Sequence, residues 1–263
     1  MKKIFLSITF LSFGVLLMQA QIICSKITYH CETKILKGRD YDGRNTLYFI
    51  SDKSLFIHND YPKESSYTNA GDMVAFIKGD SEGLPIFSDK KINTLYYKID
   101  YMSSAVQDCY IVRDTIPKIK WTIHKETRKI ENFNCFRARG DFGGRTYNVW
   151  FTPDIPSSFG PYKLGGLPGL IVEAYAEDGM VKYTFQGFEQ LTKDNIKLEK
   201  PTKGKEVSFF ELKEIAIKNL LFVESLSTDE GTCTNNDPPL NYYIEKNQFT
   251  FNSDYKKARA NKK

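Results

Sequence analysis

At 263 residues, with 41% hydrophobic and 26% charged side chains and a mean hydropathy of -0.41, the chain has enough apolar material for a sizeable core. That balance excludes an intrinsically disordered chain and a multi-pass membrane protein. The net charge of +5 falls to +3 once Lys2 and Lys3 are set aside, and residues 254–263 alone carry +4, so the body of the chain is close to -1. A folded nucleic-acid binder shows a basic face within its domain; here the basic charge sits at an end, and no nucleic-acid partner is expected.

Residues 1–20 have the layout of a secretory signal peptide: a basic start, an apolar stretch from Ile4 to Met18, and small Ala20 before Gln21. Cleavage is expected after Ala20 or Gln21. An anchor helix fits less well, because Ser7, Thr9, Ser12 and Gly14 dilute the stretch. Lipid attachment at Cys24 would follow Ile23, where a small residue is favoured. The expected address is therefore export, to the periplasm, the outer-membrane surface or the medium. Residues 21–253 are expected to form one domain, and 254–263 a disordered, solubilising tail.

In residues 26–35 Ile27, Tyr29, Cys31, Thr33 and Ile35 alternate with Thr28, His30, Glu32 and Lys34, the pattern of a half-buried strand. Residues 40–44 (DYDGR) carry turn chemistry, and 46–51 with 54–59 predict a hairpin around Asp52 and Lys53. Residues 60–90 read as a long loop broken by the apolar piece 73–77. β-spacing returns at 92–101, 109–113, 119–126, 133–139 and 146–152, which predicts an antiparallel meander.

One helix is expected near 208–221. Ser208-Phe209-Phe210-Glu211 is a capping box, and Phe209, Leu212, Ile215, Ala216 and Leu220 share one face while Lys213, Glu214 and Lys218 stay outside it. Residues 232–240 read as loop. The fold class that follows is mainly β, with one packed amphipathic helix on a curved antiparallel meander, half-barrel or sandwich.

Five cysteines, Cys24, Cys31, Cys109, Cys135 and Cys233, in an exported chain predict one or two disulfides, with the pairing left open. No metal or other cofactor is expected: there is no CxxC pair, and His30, His58 and His124 lack chelating spacing.

The densest Pro/Gly stretch is WFTPDIPSSFGPYKLGGLPGLIVEAYAE, residues 150–177. Pro153, Pro156 and Pro161 bar regular strand pairing, so the backbone makes an irregular excursion. Gly166-Leu167-Pro168-Gly169 suits a type II turn with positive φ at Gly169. Leu170 onward resumes as an apolar strand whose one charge is Glu173.

Here the chain resembles the GLPGLI family of exported bacterial proteins. The resemblance rests on residues 166–171 themselves, on Lys120-Trp121-Thr122-Ile123, on residues 126–130 (ETRKI), on Asn134-Cys135, on residues 150–156 (WFTPDIP) and on Gly160-Pro161-Tyr162. It implies an exported, β-rich protein with no agreed catalytic residues, and an association with outer-membrane partners of the TonB-dependent kind. Cys135 stands at a family-typical position and the other cysteines do not, which speaks against a family-wide disulfide.

Two functions follow. In the first, the protein is a non-catalytic envelope module binding a lipid, a peptide or another envelope protein. Its candidate residues are Pro153, Pro156, Phe159, Gly160, Pro161, Tyr162, Gly166, Leu167, Pro168, Gly169 and Glu173, the same stretch that would serve equally as a rigid corner of the fold. In the second, it is an exported hydrolase using Glu173 with Asp154 or Asp141, or Cys135 with His124. Neither catalytic pairing has a spacing signature, and Gly140, Gly143 and Gly144 are not followed by the Lys-Ser/Thr of a phosphate loop.

Overall fold

A computed structural model describes residues 23–34, 41–59, 66–70, 73–77, 84–103, 106–192, 197–226 and 260. The leader, the 232–240 loop, Cys233 and, but for Ala260, the basic tail lie outside them.

The strands are β1 (Ile23–Thr33), β2 (Tyr41–Phe49), β3 (Lys53–His58), β4 (Ser66–Ala70), β5 (Met73–Ile77), β6 (Ile86–Asp89), β7 (Thr94–Ser103), β8 (Val106–Thr115), β9 (Trp121–Ile130), β10 (Phe133–Phe142), β11 (Arg145–Thr152), β12 (Leu170–Ala176), β13 (Val181–Thr192) and β14 (Lys205–Ser208). One helix, α1 (Phe209–Leu226), follows them. β4 and β5 form a separate hairpin, and the other 12 strands make one open sheet in the order β14-β8-β7-β6-β3-β2-β1-β13-β12-β11-β10-β9. Among the described residues the fold is thus mainly β with one helix, as the sequence patterning predicts.

The sheet is strongly curled. The ring of Tyr162 stands 6.5 Å from that of Phe56 on β3 and 6.5 Å from that of Phe142 on β10. Those strands are six places apart in the sheet, which in a flat sheet would separate them by roughly 29 Å. One side chain can meet both only if the sheet wraps around it. The half-barrel is therefore the form taken. The strand order is continuous from β14 to β9, so the 12 strands make one open sheet and not a closed barrel.

Alternation explains the inner lining. Ile27, Tyr29, Cys31 and Thr33 of β1 are buried, as are alternate residues of β3 and β11. Tyr29, Tyr97, Tyr147 and Tyr183 are among the largest fully buried side chains. An aromatic-rich core of this kind fills a wide trough with few residues.

Several expectations are corrected. The sheet is not a simple meander: β1 lies between β2 and β13, and β14 pairs with β8 in parallel. Residues 41–44, read as turn, are the start of β2, because β1 supplies the hydrogen bonds that Asp and Gly rarely secure in isolation. Within the stretch read as loop, residues 66–70 and 73–77 form β4 and β5, and 86–89 form β6. Ile92, placed in a strand, is 60% exposed in the turn that ends at Asn93, whose φ is 50°.

The helix begins as its sequence dictates. The Ser208 amide donates to Glu211 Oε2 at 2.7 Å, and the Glu211 amide donates to Ser208 Oγ at 3.2 Å. Leu212 and Ala216 are buried where α1 meets β8 and β14, and Phe210 stays exposed. The helix runs five residues past the expected end at 221.

Candidate functional site

The excursion between β11 and β12, residues 153–169, folds into the trough of the sheet and fills it. Phe159 packs 6.3 Å from Phe49 of β2, Tyr162 meets Phe56 and His58 of β3, and the Lys163 ammonium sits 3.8 Å over the Tyr97 ring of β7. From the opposite edge, the Trp121 indole N–H donates to the Gly165 carbonyl at 2.8 Å. Within the excursion, Gly166 N donates to Ser158 O and Ile171 N to Phe159 O, at 2.8 and 3.1 Å, and Tyr29 Oη donates to Ile171 O at 2.6 Å. Strands β2, β3, β7, β9 and β10 each contribute a residue that touches this stretch.

The residues of the motif divide by physical role. Leu167, Leu170 and Ile171 are fully buried, and Pro168 is exposed. The type II turn is not formed: the positive φ belongs to Gly166, at 93°, and Gly169 lies outside that region. Gly169 is required for a different reason. A Cβ there would lie 2.4 Å from the Thr152 carbonyl oxygen, so close approach of two backbones, rather than handedness, excludes any side chain. Gly160 is similarly pressed, with Ile171 Cβ 2.8 Å from where its own Cβ would be.

The aromatics of the excursion point into the trough. Phe159 is 6% exposed and Tyr162 4%, so they do not form a free surface groove. Tyr162 holds φ at 57°, a conformation bulky residues rarely adopt, and it persists here because its ring is packed on both sides. Pro153 and Pro156 are exposed and Pro161 is buried.

A cleft of about 180 Å³ opens beside this turn, between residues 158–166 and the β6–β7 connection. Of the expected binding residues, Phe159, Gly160, Tyr162 and Gly166 line it. Pro153, Pro156, Pro161, Leu167, Pro168, Gly169 and Glu173 do not. Its polar lining is Ser54, Ser88, Lys90, Asn93, Ser158 and Lys163, none of which the sequence singled out. Lys90 donates to Ser158 Oγ and its ammonium stands 3.4 Å over the Phe159 ring; burial pushes its pKa down to about 8. No motif marks these residues. They come from three separate segments that meet only because the sheet curls.

The hydrolase candidates do not converge in this way. Glu173, on β12, is ion-paired to Arg128 and accepts from Tyr175 Oη, whose pKa is pushed up to about 12 by burial and by this carboxylate. Arg128 in turn lies over the Trp150 ring at 4.4 Å. Asp154 accepts from the Asn134 amide at 2.9 Å, and Asp141 from Thr146 Oγ1 at 2.7 Å. Cys135 faces Arg128 across the β9–β10 ladder. His124 is four residues further along β9, roughly 13 Å away. Burial raises the Cys135 thiol to about 11, the reverse of an activated nucleophile.

The expectation of disulfides is not met among the described residues: none joins Cys24, Cys31, Cys109 and Cys135 to one another. Cys24 and Cys31 belong to β1, Cys109 to β8 and Cys135 to β10, strands that are not neighbours. Among the described residues no group of three His, Cys, Asp or Glu side chains is placed to hold a metal ion, and no helix is long and apolar enough to cross a membrane.

Comparison with known proteins bears on this same excursion. Residues 144–173, from the β10–β11 turn into β12, match the model of a family described as a protein of unknown function (Porph_ging). No curated protein matches the chain. Two structures of PNGF-II, in space groups P21 and C2, are similar in fold, each at a TM-score of 0.51, with 17% and 18% identity. The match covers 73% of this chain and 32% of PNGF-II, so the chain spans about a third of that protein's length. At this identity the likeness is one of fold alone.

Proposed function

We propose that the chain is an exported cell-envelope protein of the GLPGLI family, and that it is a non-catalytic binding module whose ligand sits in the cleft beside residues 158–166. One observation carries this reading: the cleft is walled by the rigid excursion and lined by hydroxyl, amide and ammonium groups, with neither a carboxylate nor a thiol among its lining residues. Such a lining can hold and orient a ligand by hydrogen bonds, and it lacks an acid–base pair for hydrolysis. The acids of the alternative reading are each held by their own partners on β9–β12. Export is supported by the composition of residues 1–20, and family membership by the ordered run of matching residues across 120–171.

Native mass spectrometry of the full chain, purified gently from its host's envelope fraction, tests the proposal. A bound small molecule or peptide is expected, and it should be lost in Ile116→Trp, which fills the cleft, and retained in Ile123→Trp, at an exposed position on β9. A ligand retained by both variants, or none found in the unmodified protein, overturns it.

A further inference from the structure

We propose that the cleft captures its ligand covalently: the Lys90 amine condenses with an aldehyde group of a small, partly apolar molecule and holds it as an imine. This deepens the binding reading above and rests on it.

Lys90 leaves the turn that follows β6 and reaches the cleft rather than a carboxylate. Its Nζ donates to Ser158 Oγ and stands 3.4 Å over the Phe159 ring, and Lys90, Ser158 and Phe159 all line the cleft. The acids beside it are engaged elsewhere: Asp52 pairs with Lys91 at 3.0 Å and Asp89 with Lys53 at 3.7 Å, and neither lines the cleft. A half-buried ammonium with one hydroxyl and a ring face for partners is poorly compensated for the water it has lost. Burial accordingly lowers its pKa to about 8, against a smaller pull the other way from Asp52. At pH 7 about a tenth of such an amine is neutral, against less than roughly one in a thousand for lysine at its ordinary value. The neutral amine is the form that attacks a carbonyl.

The geometry also leaves the reactive electron pair available. A neutral amine has two N–H bonds and one lone pair; with one N–H on Ser158 Oγ and the other on the Phe159 face, the lone pair is left for an incoming group. It attacks the aldehyde carbon and forms a C–N bond, and one amine proton passes to the carbonyl oxygen, by way of the Ser158 hydroxyl already on the amine. The carbinolamine then loses that oxygen, with the second amine proton, as one water, and a C=N bond remains; nothing is oxidised or reduced. Leu95, Ile116 and Pro117 form an apolar wall for the ligand's carbon chain. The volume of about 180 Å³ limits what is captured to a small molecule or one end of a larger one. The lining holds no carboxylate or thiol to carry the imine further, so capture is here a form of binding.

Reductive trapping of the full-length chain tests this, with butanal and acetaldehyde as probes, cyanoborohydride to fix the imine and peptide mapping to read each site. At pH 7 Lys90 is expected to take the butyl group at least about tenfold faster than exposed Lys125. The lead should be larger for butanal than for acetaldehyde, because the longer chain reaches the apolar wall. It should shrink by pH 10, where other lysines are neutral too; the charged groups around Lys90 in that titration are Asp52, Asp89, Lys91, Lys53 and, from the excursion, Lys163. Ile116→Trp should slow labelling of Lys90 at least about tenfold and leave Lys125 unchanged. Should that variant not fold, the comparison of the two aldehydes in the unmodified protein decides the same point. Equal rates at Lys90 and Lys125 would overturn covalent capture, and a ligand still seen in the native mass spectrum and lost in Ile116→Trp would then leave the binding module standing. A Lys90 lead that is the same for both aldehydes, or that survives Ile116→Trp, would overturn the cleft as the place of capture. Equal rates together with an empty native spectrum would overturn both.

Discussion

Gly169 lies so close to Thr152 that a Cβ on it would stand 2.4 Å from the Thr152 carbonyl oxygen. Gly166, three residues earlier, has positive φ but open space around it, its Cβ position meeting nothing nearer than Trp121 Nε1 at 3.9 Å. Alanine at these two glycines should therefore fail for different reasons and by different amounts. Gly166→Ala is expected to cost about 1 kcal/mol of backbone strain, and Gly169→Ala about 3 kcal/mol, from overpacking against a backbone that cannot move aside. Chemical denaturation of both variants checks the order; equal losses would contradict it.

Acid stability should depend on His58. The ring is buried against Phe56 and Tyr162, and burial pushes its pKa down from 6.5 to about 4. Between those values the unfolded chain binds a proton that the folded chain refuses, so stability falls as pH drops from 6.5 toward 4, by up to about 3 kcal/mol. The comparison is between the unmodified protein and His58→Leu, denatured at pH 7 and pH 4.5. Carboxylates titrate in both, so the expected result is a smaller pH-dependent loss in the variant.

The cysteines should differ in reactivity. Burial raises Cys31 and Cys135 to about 11, whereas Cys109 is partly exposed, near the surface at β8. Iodoacetamide at pH 8, followed by peptide mapping, is expected to label Cys109 first and to leave Cys31 and Cys135 unmodified until the protein is denatured.

Local chemistry was a good guide wherever an element depends on its own residues. The alternation of Ile27, Tyr29, Cys31 and Thr33, the hairpin around Asp52, and the Ser208–Glu211 cap all reflect interactions within a few residues. It misled where a distant partner decides the outcome. Tyr41 to Arg44 look like a turn until β1 pairs with them, and Gly169 looks like a turn glycine until the Thr152 carbonyl is placed against it. The Pro/Gly stretch was recognisable as special. Its partners in the cleft, Lys90 and Ser88 above all, were not, because they come from a region with no periodicity and are gathered only by the curl of the sheet.

The position of β1 has a consequence for the order in which the molecule can be made. It is the first described strand to leave the ribosome, yet it sits in the interior of the sheet, and one of its two neighbours, β13, ends at Thr192. Until that segment exists, the inner face of Ile27, Tyr29 and Cys31 has half of its backbone partners missing. Closing so long a loop is slow and leaves a strand edge uncovered in the meantime. Assembly is therefore expected to be late and concerted, with nascent chains shorter than about 190 residues unable to complete the trough and dependent on chaperones to keep β1 from pairing elsewhere.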